Sequence, residues 1–153
     1  MKAKRAVAIA VLVAVAGVGV YLIVRQKLSG EEGRIRKLMA QVEKNFESQK
    51  LSKCLAVASD DYSDNIGHDT KAELEDDLRL LFQTSRSVRV KLQDVEIEVR
   101  GNEADVALTA TAKAENVFLG DVSLHRVVGH TRYVVTVRKE RGRWKVLRAE
   151  GLD

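Results

Sequence analysis

The chain has 153 residues and a formal net charge of +4 at neutral pH, with 26 Lys and Arg against 22 Asp and Glu. Residues 1–27 hold five basic residues and no acidic one, so +4 minus +5 leaves −1 for the rest of the chain. Nucleic-acid binders need a basic surface, so no nucleic acid is expected as a partner. The single cysteine, Cys54, excludes an internal disulfide and a cysteine-based zinc site.

The first predicted element is an apolar helix near the N-terminus. Residues 6–24 carry no charge, follow a basic stretch at residues 2–5, and end before Arg25. A helix of this length is roughly 28 Å long, which matches the hydrocarbon thickness of a bilayer. We therefore expect residues 1–27 to be a signal anchor whose transmembrane helix spans residues 6–24 and binds the lipid bilayer.

The competing interpretation of this segment is a cleaved signal peptide. Ala14-Val15-Ala16 resembles a small-x-small cleavage site. Cleavage there would leave residues 17–24 as an exposed apolar N-terminus, which favours the uncleaved anchor. The short basic tail resembles an export signal, so the expectation is a single-pass membrane protein with an extracytoplasmic domain.

A single α+β domain is predicted over residues 28–153, after a short break at Ser29-Gly30. Apolar residues recur at helical spacing over about residues 31–49, and a second short helix places Cys54 on its buried face as an inert thiol. Thr70 and Glu73 form a capping box, which begins a third helix that ends near Thr84. The inward stripe of the first helix consists of Ile35, Leu38, Met39, Val42 and Phe46.

From residue 87 the apolar period changes from helical to alternating, which predicts four long antiparallel strands. The alternation slips by one residue at Gln93-Asp94, which is typical of a β-bulge. The polar residues 60–69 are compatible with one additional short strand. Turns are predicted at Gly101-Asn102, Gly120-Asp121 and Arg141-Gly142. The helices should pack on one face of a curved four-stranded sheet, with Trp144 covering Leu38, Val42 and Phe46.

The order of helices and strands, the bulged first long strand and the closing segment Gly142-Arg143-Trp144-Lys145-Val146-Leu147 resemble the nuclear transport factor 2-like superfamily. This is the cone-shaped, cystatin-like fold that ketosteroid isomerases and polyketide cyclases also have. The resemblance implies a curved sheet wrapped around helices, often with an apolar pocket at the mouth of the cone. Members include enzymes, binders of small ligands and non-catalytic interaction modules, so the fold does not select a function.

The polar segment around Asp64 contains the candidate catalytic residues. Isomerases of this superfamily place a carboxylate base in a similar position, so Asp64 is the candidate base, with His68 or Tyr133 assisting. They also use a tyrosine on the first helix as an oxyanion donor, and this helix has none. The alternative is a polar loop whose aspartates cap turns and helix starts. A metal site at Asp64, His68 and Asp69 does not have the spacing of a known site.

Candidate ligand-binding residues lie on the second long strand, where Ala110, Ala112 and Ala114 share the inner face. Small side chains there leave room for a ligand or let a helix approach closely. His125 and His130 fall on opposite faces of the next strand and cannot share a metal. No phosphate loop or nucleophile elbow is present, so no cofactor and no metal are expected.

These observations predict a membrane-tethered, non-catalytic module of the cell envelope. It would bind a protein partner or a small apolar ligand, and a partner or a second copy of the chain would contact the sheet. The alternative is an isomerase or cyclase that acts on a small apolar carbonyl compound with Asp64 as its base.

Overall fold

The computed structural model describes residues 2–116 and 125–152 and, within them, the side chains of residues 13–20, 30–115 and 131–152. The helices are α1 (Lys2–Glu47), α2 (Leu51–Ala56) and α3 (Lys71–Thr84). The strands are β1 (Ala58–Asp64), β2 (Ser85–Arg100), β3 (Glu103–Asn116), β4 (His125–Glu140) and β5 (Arg143–Leu152). They form one sheet in the order β1-β5-β4-β3-β2.

Helix α1 is continuous, so the predicted break at Ser29-Gly30 is wrong. A glycine inside a helix costs about 1 kcal/mol, which neighbouring interactions can offset. Arg34 pairs with Glu31 at 3.3 Å and Arg36 with Glu32 at 3.1 Å, both along the helix. Ion pairs at these spacings favour the helical state across the glycine.

The predicted membrane span, residues 6–24, falls largely outside the described side chains. Within the part of the chain whose side chains are described, no helix is long and apolar enough to cross a membrane. Residues 13–20 of the span do belong to that part. Four of their valines are 58–68% exposed: Val13, Val15, Val18 and Val20.

Strands β2 to β5 form the predicted antiparallel meander. The predicted bulge is confirmed, because Gln93 pairs with Thr109 while Glu96 pairs with Ala107, so β2 has one extra residue there. Asp94, inside the bulge, has a φ of 53°. The turns at Gly101-Asn102 and Arg141-Gly142 are also confirmed. The predicted turn at Gly120-Asp121 lies outside the described residues.

The sheet has five strands and is mixed, which corrects the prediction of four antiparallel strands. The fifth is β1, which pairs in parallel with β5, with Ala58 opposite Val146 and Asp64 opposite Ala149. The sequence Ala-Ser-Asp-Asp-Tyr-Ser-Asp carries few β-forming residues, so its strand state depends on β5. The side chain of Asn65 extends this pairing, because its Oδ1 accepts from the backbone N–H of Gly151 at 2.8 Å.

The buried core lies between α1 and the inner face of β3, β4 and β5. Trp144 is 7% exposed and belongs to this core with Ile35 and Leu38. The expectation that it also covers Val42 and Phe46 is not met, because these two side chains line a cavity further along α1. Since α1 crosses the sheet, residues one or two turns apart on its stripe face different strands.

Candidate ligand cavity and the Asp64 network

An apolar cavity of about 180 Å³ lies between the three helices and the inner face of the sheet. Almost all of its wall is hydrocarbon, and the wall residues whose side chains carry a hydrogen-bond donor are Cys54, Tyr62 and Tyr133. Its wall consists of Met39, Val42, Phe46, Cys54, Val57, Ala58, Tyr62, Leu74, Leu78, Leu92, Leu108, Ala110, Tyr133, Val135, Val146 and Ala149. Apolar cavities of about 150 Å³ stay dry and admit a molecule the size of benzene.

The predicted elements position this wall. The confirmed cap at Thr70, whose Oγ1 accepts from the backbone N–H of Glu73 at 3.3 Å, begins α3 and directs Leu74 and Leu78 inward. Phe46 and Phe82 meet edge to face, with their ring centres 6.0 Å apart, and fix α1 against α3. These contacts keep the helices apart around the cavity, so the cavity is a feature of the packed fold.

The two tyrosines on the cavity wall differ in how their hydroxyls are used. The Tyr62 hydroxyl donates to Oδ2 of Asp64 at 2.8 Å. The Tyr133 hydroxyl has no hydrogen-bond partner among the side chains and backbone groups of the described residues. Tyr133 is therefore the free polar donor beside the cavity, where a ligand could use it.

The Asp64 carboxylate is fully buried and accepts four hydrogen bonds. Its Oδ1 accepts from the backbone N–H groups of Ile66 and His68, at 3.0 and 2.9 Å. Its Oδ2 accepts from Tyr62 and lies 2.7 Å from Nδ1 of His68. The other ring nitrogen of His68 lies 2.7 Å from Oδ2 of Asp77 on α3. The network therefore ties the end of β1 to α3 through a histidine held between two carboxylates.

The pKa values in this network favour a charged pair. Burial raises the pKa of Asp64, but the hydrogen bonds from His68 and Tyr62 outweigh burial, and the net pKa is lowered. Burial lowers the pKa of His68, but the two carboxylates outweigh it, and the net pKa is raised. Burial, with the bond to Asp64 next, raises the pKa of Tyr62. At neutral pH the Asp64 carboxylate is therefore ionised, with its lone pairs occupied.

The candidate residues from the sequence fall in two places. Tyr133 and Ala110 line the cavity, whereas Asp64 and His68 lie behind Tyr62 and not on the wall. Ala112 and Ala114 are half-buried further along β3, outside the wall. The side chains of His125 and His130 lie outside the described residues. In the described part of the chain, no group of His, Cys, Asp or Glu is arranged to hold a metal ion.

Sequence reasoning missed Tyr62 and Asp77 as members of the network. Tyr62 stands two residues before Asp64, a spacing that puts both on one face of a strand, but β1 was only a possible strand. Asp77 is far from His68 in sequence, and no local pattern joins them. Cys54, predicted to be inert, is buried on the cavity wall, and burial raises its pKa to about 11.

The described structure resembles several solved proteins. A protein from Novosphingobium aromaticivorans, provisionally named a scytalone dehydratase, superposes with a TM-score of 0.68 at 19% identity over 82% of this chain and 85% of that one. A protein from Streptomyces avermitilis, provisionally named a dehydratase of the nuclear transport factor 2-like family, gives 0.67 at 15% identity over 80% and 95%. A Nostoc punctiforme protein of unknown function with a cystatin-like fold gives 0.61 at 19% identity over 78% and 88%.

No family model matches the sequence, and no curated protein matches it. The fold is therefore defined by structure: helices on a mixed five-stranded sheet, in the nuclear transport factor 2-like arrangement. This confirms the α+β, nuclear transport factor 2-like part of the predicted fold class, with five strands in a mixed sheet where four antiparallel strands were predicted. The similar structures include proteins of unknown function and proteins named as dehydratases, so they assign no single activity.

Proposed function

We propose that this protein is a membrane-tethered module of the cell envelope that binds a small apolar ligand in the cavity without transforming it. The observation that carries this proposal is the cavity itself, an apolar space of about 180 Å³ with one unpartnered hydroxyl, that of Tyr133, beside it. Sites for small molecules are concave and mostly apolar, with few polar groups that orient the ligand. The volume suits a ligand with one ring and one hydrogen-bond acceptor.

The geometry supports binding better than the isomerase alternative. A general base has to reach the proton it abstracts and needs a free lone pair. All four hydrogen bonds of the Asp64 carboxylate go to protein groups, and Asp64 is not among the residues that line the cavity. Held in this way, Asp64 positions the loop at Ile66 and His68 and the side chain of Tyr62. Tyr62 in turn forms part of the cavity wall.

We expect the Tyr133 hydroxyl to give the cavity a preference for acetophenone: it should strengthen acetophenone binding about fivefold and leave unchanged that of 2-phenylpropene, which has the same planar shape but a CH2 group in place of the carbonyl oxygen. One hydrogen bond between neutral groups contributes about 1 kcal/mol, which corresponds to this ratio. Tyr133→Phe should remove the preference, and Ala110→Leu should abolish binding of both compounds by filling the space. Isothermal titration calorimetry on the purified full chain measures these affinities.

The matched control is Ala112→Leu, which adds the same side chain on the same strand face but outside the cavity wall. It should leave both affinities unchanged. Equal binding by the parent chain and by Ala110→Leu would place any ligand elsewhere and refute the cavity as the binding site.

The tether is the second component of the proposal. The exposed valines of residues 13–20 support it, because no described part of the protein covers these apolar side chains. Apolar side chains arranged around a helix need a non-aqueous environment. We propose the outer side of the membrane for the domain.

The tether predicts that the protein stays in the membrane fraction after extraction with alkaline carbonate. Its N-terminal sequence should include residues 6–24, and the domain should be cleaved by protease added to intact cells. An N-terminus at Gly17 would instead identify a cleaved signal peptide. Protection in intact cells combined with cleavage after lysis would place the domain on the inner side.

A further inference from the structure

A second depression, of about 950 Å³, lies between α1 and the hairpin that joins β4 to β5. We call it the basic groove, since basic residues dominate its charged wall. The basic residues are Arg34, Lys37, Arg141, Arg143 and Lys145, and the acidic ones are Asp60 and Glu140. Both acidic side chains pair with cations outside the groove, Asp60 with Lys71 at 3.1 Å and Glu140 with Arg138 at 3.3 Å. Arg34 pairs with Glu31, whereas Lys37, Arg141, Arg143 and Lys145 form no ion pair among the described residues, so the groove keeps an excess of positive charge.

Glu31 attaches the hairpin end of the groove to α1. Its carboxylate accepts from Nε1 of Trp144 at 2.6 Å and from Nζ of Lys139 at 3.0 Å, and these residues flank the hairpin turn. The turn, with Arg141 and Arg143, therefore lies beside Glu31. Glu31 lies seven positions after residue 24, where the apolar segment ends, and the helix between them is continuous. Seven positions of helix correspond to roughly 10 Å.

At this distance the hairpin end of the groove, with Arg141 and Arg143, lies near the membrane surface, whereas the α1 residues of the groove, Arg34 to Gln41, lie roughly 15–26 Å beyond residue 24. The polar headgroup layer extends roughly 5–8 Å beyond the hydrocarbon on each side of a bilayer. Arginine and lysine side chains reach several ångströms towards such a layer while their stems stay on the protein. Because α1 has no break, the helix itself sets this height.

We propose that the basic groove binds the phosphate headgroups of anionic lipids in the bilayer that α1 enters. The inference rests on the tether proposed above and extends it, because it assigns a lipid-charge preference to a specific face. Each lysine or arginine at an anionic surface strengthens the association about fivefold. The membrane is favoured over an acidic protein as the occupant, because Arg141 and Arg143 at the hairpin end of the groove lie within side-chain reach of the headgroup layer.

The test is hydrogen exchange of the full chain in lipid nanodiscs. One set contains phosphatidylcholine alone, and the other contains one third phosphatidylglycerol. In the anionic discs, exchange in residues 140–145 should slow about tenfold, and high salt should reverse this change. Exchange in residues 65–69 should not differ, because this loop lies at the other end of β5, roughly 25 Å away.

Charge reversal provides the matched comparison. Arg141→Asp combined with Arg143→Glu should abolish the slowing, and the aspartate tolerates the φ of 50° at position 141. Arg86→Glu combined with Arg89→Glu makes the same charge change on exposed residues of β2 outside the groove and should retain the slowing.

Two failures are distinguishable. A chain that stays in carbonate-washed discs but exchanges equally in both lipid compositions refutes the lipid site and leaves the tether standing. A chain that leaves the discs in carbonate refutes the tether, and the lipid site with it.

Discussion

Replacing Trp144 with alanine is expected to lower the free energy of unfolding by about 3–5 kcal/mol, as for other buried tryptophans. The ring is 7% exposed within the main core, and its Nε1 donates to Oε2 of Glu31. The hydrogen bonds from Lys139 and Trp144 lower the pKa of Glu31, so the variant also loses a partner of an ionised carboxylate. The free energy of unfolding of a domain of this size is about 5–15 kcal/mol, so this loss is a large part of the total stability.

Urea unfolding of the full chain in mild detergent, followed by circular dichroism, measures this change. Trp144→Phe keeps most of the apolar ring and removes only the hydrogen bond, so its loss should be about 1–3 kcal/mol. Leu80→Ala is the surface control, because Leu80 is 61% exposed, and should change little. An unchanged midpoint for Trp144→Ala would contradict the assignment of Trp144 to the core.

The second large effect is expected for Asp64→Ala, which should cost about 3 kcal/mol. Removing one member of a buried, hydrogen-bonded ion pair leaves its partner uncompensated. Here the variant leaves His68 and the Tyr62 hydroxyl without their acceptor.

The pH dependence of this loss tests its electrostatic origin. The raised pKa of His68 contributes stability below the unfolded value of about 6.5, and this is lost as pH rises through the folded value. The lowered pKa of Asp64 contributes stability above the unfolded value of about 3.9, and this is lost as pH falls. The difference between the parent chain and Asp64→Ala should therefore be largest between about pH 4 and 6.5.

The control is Asp69→Ala, which removes an exposed carboxylate of the same loop that accepts no hydrogen bond from the described residues. Its unfolding free energy should follow that of the parent chain at every pH. A loss for Asp64→Ala that is constant from pH 4 to 9 would indicate lost packing in place of a lost ion pair.

The features that the sequence predicted correctly are local ones. The N-cap at Thr70, the bulge at Gln93-Asp94 and the turn at Arg141-Gly142 each depend on residues within a few positions of one another. The return bond of the predicted capping box differs, because the Glu73 carboxylate accepts from the backbone N–H of Asp69. Local preferences of this kind are visible in a single sequence. The resemblance to the nuclear transport factor 2-like superfamily then predicted how these elements are arranged in the fold.

The features that the sequence did not reveal depend on distant residues. Strand β1 exists because β5 pairs with it, and its own residues indicated no more than one short strand within residues 60–69. Asp77 belongs to the network because the fold places α3, which carries Asp77, beside His68. The cavity requires side chains from every helix and strand at once, and only Ala110 and Tyr133 were named beforehand. Such sites are properties of the assembled fold, and sequence periodicity cannot locate them.

The parallel pairing of β1 with β5 also affects how the chain is made. About 80 residues separate Asp64 from Arg143, so β1 emerges from the ribosome long before its partner strand. Pairings between distant segments raise the contact order and form slowly. Until β5 arrives, the backbone edge of β1 is open to other strands, which is a hazard for nascent chains. The apolar cavity, which needs Val146 and Ala149, can therefore close only after β5 has been synthesised.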